Sequence, residues 1–126
     1  MNNKVLVVDD EQIIRTVLRT LLVKWGYRVS EASDGEQAIE QMLKGNFDLI
    51  ICDILMPKKD GWQVVQEVRA NPKTKNIPII LLTAKNEDPD TLKGYDLGAN
   101  YYLTKPFTKD QLQYGIELML GKNPFP

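Results

Sequence analysis

The sequence predicts an α/β fold: a doubly wound, five-stranded parallel sheet with five helices on its two faces. Three observations carry this. Short, continuously apolar runs alternate with longer amphipathic segments, the pattern of strands covered on both faces and of the helices that cover them. Helix-start signals recur between the runs. The 126 residues, 43% hydrophobic and 26% charged, suit one domain with a single core.

The elements follow in order. Residues 4–8 (KVLVV) open the chain as a buried strand. Ile14, Val17, Leu18, Leu21 and Trp25 then recur at helical spacing up to Gly26, a helix stop. A shorter β-like segment covers 28–32 (RVSEA). Ser33 with Glu36 has capping-box spacing and introduces Ala38, Ile39, Met42 and Leu43, ended by Gly45. The third strand is 48–52 (DLIIC), and Asp60 with Gln63 starts a helix marked by Val64, Val65 and Val68. The fourth strand is 77–82 (IPIILL); Asp88-Pro89 then places a cap before a proline in the first turn of a fourth helix, roughly 89–97. The fifth strand is 100–104 (NYYLT), and Thr108 with Gln111 starts a fifth helix carrying Leu112, Ile116 and Met119. Right-handed crossovers join such units into one sheet. The domain is expected to span 1–121, with 122–126 as a tail.

Composition narrows the chemistry. A single cysteine, Cys52, makes no intramolecular disulfide, and without histidine or a second cysteine the common zinc frameworks are excluded. Any metal must be hard and oxygen-bound. Net charge is −1 with scattered lysines and arginines, so neither nucleic acid nor an anionic membrane surface is an expected partner. No run reaches the roughly 20 apolar residues of a membrane span, and the N-terminus lacks a signal-peptide pattern, so a cytoplasmic location is expected.

The polar residues fall in a pattern. Asp9 and Asp10 follow strand one, Asp53 strand three, Thr83 strand four and Lys105 strand five. All five stand at carboxyl ends of strands. Open parallel sheets bind ligands outside those ends, where strand order reverses; in the flavodoxin-like order 2-1-3-4-5 that point lies between strands one and three. Asp9, Asp10 and Asp53 would meet there as an acidic pocket suited to Mg²⁺ or Mn²⁺. Crowded like charges also predict that at least one of the three carboxyls titrates above its ordinary range.

The stretches VLVVDD, DLIICDILMPKKDGW, IPIILLTA and GANYYLTKPF together resemble the receiver domain of bacterial two-component response regulators, over about residues 3–121. The resemblance implies a chemotaxis-receiver-like fold, the source of the strand order 2-1-3-4-5 used above, in which Asp53 accepts a phosphoryl group from the phosphohistidine of a sensor histidine kinase or histidine phosphotransfer protein. It implies Mg²⁺ held by Asp10 directly, by Asp9 mostly through water, by Asp53 and by the Leu55 carbonyl. Lys105 and Thr83 would each bind a phosphoryl oxygen, and the Lys105–Pro106 bond would be cis. It further implies a switch: Thr83 moves toward the phosphate and Tyr102 turns inward behind it, changing the surface of helix four, strand five and helix five for a downstream protein. The chain would be a monomer before phosphorylation, and a signalling part that promotes its own phosphorylation and dephosphorylation. Exposed Ile13, beside Asp10, would help dock the partner helix.

Each residue has a plainer rival. Asp10 alone could cap the first helix, but that leaves Asp9 and Asp53 unexplained. Thr83 alone could be a loop hydroxyl and Lys105 a solvated charge; their shared placement argues otherwise. Cys52, Trp25 and Trp62 read as packing. Many DNA-binding relatives carry an acidic pair before the strand-five tyrosine and a basic residue in the last helix; here Asn100, Tyr101 and Gln113 to Gly115 stand there, so that form of dimer is not expected. A haloacid-dehalogenase-like phosphatase needs a second aspartate where this chain has Leu55, and an acidic pocket would repel the phosphate of FMN.

Overall fold

The computed structural model of the chain describes residues 3–56, 58–84 and 98–122. The elements run β1 (Lys4–Val8), α1 (Gln12–Lys24), β2 (Arg28–Ala32), α2 (Gly35–Lys44), β3 (Leu49–Asp53), α3 (Gly61–Ala70), β4 (Ile79–Ala84), β5 (Tyr101–Lys105) and α4 (Lys109–Met119). All five predicted strands form one parallel sheet in the order β2-β1-β3-β4-β5. The described residues hold four helices, α4 being the one predicted fifth. The predicted fourth helix, 89–97 with its Asp88-Pro89 start, lies outside the described residues, as do positions 123–126 of the expected tail. Lys122 is held: its ammonium donates to the Tyr27 hydroxyl at 3.1 Å and lies 4.4 Å from the centre of that ring.

The expected single core is two layers, because side chains alternate across a strand. Leu6, Val8, Ile50, Cys52, Ile79 and Leu81 face one side under α2 and α3. Val5, Val7, Leu49, Ile51, Ile80 and Leu82 face the other under α1 and α4. These strand residues of both halves are fully buried, and the pairing holds their carboxyl ends in register. Tyr101 and Tyr102 fall on opposite faces, as the period of two predicts, Tyr101 with the α1 and α4 layer and Tyr102 with the α2 and α3 layer. Gly115 of α4 leaves room for Tyr101, whose ring would lie 2.9 Å from any Cβ there.

Helix starts mostly follow the sequence. Asp60 with Gln63 and Thr108 with Gln111 form capping boxes. The α2 start differs by one residue: Asp34, not Ser33, is the cap, accepting from the Gln37 backbone N–H at 2.9 Å. The Gln37 side chain returns to the Ser33 N–H at 3.0 Å, so the reciprocal pair runs through Gln37 instead of Glu36. The Asp34 carboxylate also meets the Lys58 ammonium at 3.6 Å. Asp10 is not the cap; that position is Glu11, just before α1, and it makes no side-chain cap hydrogen bond.

Candidate functional site

Where the apolar runs stop, parallel pairing continues for one or two residues more, and this places the site. β3 ends on Asp53, β4 contains Thr83 and β5 ends on Lys105. All three were expected just beyond their strands; instead the sheet's own hydrogen bonds fix them. In register, Asp53 stands opposite Leu82 and Lys105 opposite Ala84. Asp9 and Asp10 follow β1 directly, beside β3.

The three carboxylates converge. One oxygen from each of Asp9, Asp10 and Asp53 lies within 4.8 Å of the others. Their environments differ sharply. Asp9 is fully buried, Asp53 is 11% exposed at its side chain, and Asp10 is open to solvent. Lys105 sits between the inner two, its ammonium 3.1 Å from Asp9 Oδ2 and 3.4 Å from Asp53 Oδ1. The other Asp9 oxygen accepts the Glu11 backbone N–H at 2.9 Å, an Asx turn that leads into α1. Both Asp9 oxygens are therefore engaged, and Asp10 is left facing the mouth.

Electrostatics follow from that arrangement. The Asp53 carboxyl is raised from its ordinary 3.8 to about 6: burial contributes most, Asp9 and to a lesser degree Asp10 push it up as well, and Lys105 pulls it down. The raised carboxyl expected from the sequence is thus Asp53, with burial ahead of crowding as its cause. For Lys105, burial disfavours the ammonium, but the charges and hydrogen bonds of Asp53 and Asp9 outweigh it and its pKa is raised. Cys52 is buried, and that burial, with Asp53 next, pushes its thiol up, away from thiolate. The Thr83 hydroxyl, nearly buried, donates to the Ala84 carbonyl at 3.1 Å. The Lys105–Pro106 bond is cis, as expected.

Three features lie beyond what the sequence pattern reveals. The Arg15 guanidinium donates to the Asp9 carbonyl at 2.7 Å and pairs with Glu31 at 3.3 Å, fixing the peptide between the two aspartates. Gly61 closes the loop after β3: its N–H donates to the Ile54 carbonyl at 2.7 Å, and a Cβ there would stand 2.7 Å from the Asp53 carbonyl oxygen. Within the same loop Lys58 has φ +67°, a left-handed backbone rare outside glycine. Leu55, where a phosphatase would need its second aspartate, is 66% exposed. Trp62 and Trp25 pack against opposite core layers, and among the described residues no helix is long and apolar enough to cross a membrane.

Known proteins with this arrangement can now be compared. The family model of the response regulator receiver domain matches residues 5–117. The alkaline phosphatase synthesis transcriptional regulatory protein PhoP of Bacillus subtilis is 41% identical over 123 residues, covering 98% of this chain and 50% of its own length. The chain thus spans about half the length of the curated relatives it matches. Among solved structures, the chemotaxis response regulator CheY4 of Vibrio cholerae superposes with a TM-score of 0.90 at 35% identity, over 95% of this chain and all of that one. The receiver domain of the sensor histidine kinase PA1611 of Pseudomonas aeruginosa, solved with a magnesium ion coordinated in its active-site cleft, superposes with a TM-score of 0.88 at 33% identity, over 97% of this chain and all of that one. A match that runs from the first strand into the last helix, on the same fold, has one reading: the chain belongs to the response regulator receiver domain family.

Proposed function

We propose that Asp53 is the phosphoacceptor of this receiver, taking a phosphoryl group from a phosphohistidine on a sensor histidine kinase or histidine phosphotransfer protein. The observation that carries this is the asymmetric trio: one buried acid tied down by Lys105 and Glu11, one open acid, and close to both Asp53, its side chain 11% exposed and within reach of Lys105. An Asp53 oxygen attacks phosphorus, the phosphorus–nitrogen bond breaks, and the imidazole leaves with the electron pair and takes a proton. At neutral pH, above its pKa of about 6, Asp53 is ionised and still more basic than an ordinary carboxylate, as a nucleophile should be.

Three carboxylates and one lysine sum to −2, a donor set of hard oxygens that fits Mg²⁺, with Mn²⁺ acceptable. Asp10 would bind the ion directly, Asp9 through water because both its oxygens are engaged, with Asp53 and the Leu55 carbonyl as the other protein ligands. The ion supplies charge neutralisation to a transition state that asks little covalent work of the protein. Lys105, already 3.4 Å from Asp53, then pairs with a phosphoryl oxygen, and Thr83 turns its hydroxyl from the Ala84 carbonyl to another. The family's role is signalling and not multiple turnover. The output we infer is a population shift of Thr83 and Tyr102 that alters the β5 and last-helix surface. Donor docking is supported by Ile13, 76% exposed, and by a groove of about 350 Å³ along Ile14, Val17, Lys105, Pro106 and Phe107 that starts on α1 and ends at the site. Its apolar wall suits a helix carrying the phosphohistidine.

Intact mass after incubation with acetyl phosphate tests the reading. A gain of about 80 Da is expected with Mg²⁺ and none with EDTA. A gain that ignores metal would refute the metal-dependent site.

A further inference from the structure

Tyr102 is half-buried at the edge of the α2 and α3 core layer, and its ring faces Trp62, with centroids 6.2 Å apart and planes tilted by 51°. Trp62 is a firm wall: it is 8% exposed and packed within that layer. Tyr102 also has space on its open side, lining a groove of about 580 Å³ with Thr104, Pro106, Asp110 and Tyr114. The Tyr102 ring thus lies between Trp62 and that groove. Tyr101 lines the same groove, but its ring packs over Gly115 with the opposite layer, away from Trp62.

Trp62 is also tied to the acceptor. It directly follows Gly61, whose N–H is bonded to the Ile54 carbonyl and whose Cα face touches the Asp53 carbonyl too closely for any side chain. That bond and that contact join the Asp53–Ile54 peptide to the first residue of α3, which Trp62 follows. We propose that Trp62 is a positioning residue of the switch: it forms the inner seat of the Tyr102 ring and couples that seat, through Gly61, to the phosphoacceptor. This route is separate from the one through Thr83. It rests on reading Tyr102 as the switch and Asp53 as the acceptor.

By linkage, a residue that favours the inward ring strengthens binding of whatever favours the same state. Beryllofluoride, a non-covalent phosphoryl mimic, is therefore titrated with Mg²⁺ into the full chain by calorimetry. Trp62→Leu should weaken its binding about fivefold, the scale of one aromatic pair. Trp62→Phe, which keeps a ring in the seat, should recover most of the loss. In a Tyr102→Ala background, Trp62→Leu should cost nothing further. An equal loss in both backgrounds, or no loss in either, overturns the proposal, because a merely structural Trp62 would act regardless of Tyr102. If Tyr102→Ala alone leaves binding unchanged, the switch reading falls and the proposal with it. If the unmodified chain binds no beryllofluoride, the acceptor reading itself fails, a result visible before any variant is made.

Discussion

Asp53→Asn should make the metal-free protein more stable at neutral pH. The folded-state pKa of Asp53 is raised from 3.8 to about 6, so the native state disfavours the charged form. For a raised carboxyl the unfolded chain ionises first as pH rises, the native state holds the extra proton between about 4 and 6, and stability falls through that window. Above it the full cost is present, about 3 kcal/mol by the conversion of one pKa unit to about 1.4 kcal/mol. The side chain is only 11% exposed, so little of this is screened away, though relaxation around the coupled Lys105 brings the expected gain to about 2 kcal/mol. Asparagine keeps the shape and an acceptor oxygen for Lys105. Urea melts in EDTA should therefore show wild type and variant nearly equal near pH 4 and separated by about 2 kcal/mol at pH 7, with the variant higher. Adding Mg²⁺ at pH 7 should raise the wild type more than the variant. A variant that melts lower than wild type, by an amount independent of pH, would refute the claim that the acidic pocket strains the fold.

Three further outcomes are expected. Asp9→Asn should change metal-free stability by less than about 1 kcal/mol, since the amide oxygen still accepts the Glu11 N–H while the Lys105 partner is weakened; Mg²⁺ affinity by calorimetry should drop. Gly61→Ala should cost about 2 kcal/mol or more in thermal melts, because its Cβ would press on the Asp53 carbonyl, and acetyl phosphate labelling should slow as the acceptor moves. Ile13→Ala should leave melting unchanged, given 76% exposure, and should slow transfer from a histidine-phosphorylated donor while acetyl phosphate labelling serves as the undisturbed control.

The strands were legible because each is a continuous apolar run, and the acidic trio because three charges at run ends have no packing explanation. Strand ends were not, since Asp53, Thr83 and Lys105 are polar residues held by pairing that a hydropathy pattern cannot see. The α2 cap, Asp34 in place of Ser33, also meets Lys58, a residue more than 20 positions away in the chain. Arg15 on the Asp9 carbonyl, Gly61 against Asp53 and the Trp62 seat for Tyr102 share that character. Each depends on a tertiary approach between elements, and only the aromatic period of two on β5 gave local notice of any of them. Asn100, read as a missing acid, has a partner of its own: its side-chain oxygen accepts from Arg69 at 2.6 Å and from the Ile79 N–H at 2.8 Å.

The claim that Asp53 is the phosphoacceptor is tested most directly by locating the phosphoryl group. The chain is labelled with acetyl phosphate and Mg²⁺, then reduced with borohydride, which converts an aspartyl phosphate to homoserine, and its peptides are sequenced by mass spectrometry. Homoserine should be found at position 53, and Asp53→Asn should carry no label. Homoserine at position 9 or 10, or full labelling of Asp53→Asn, would contradict the account.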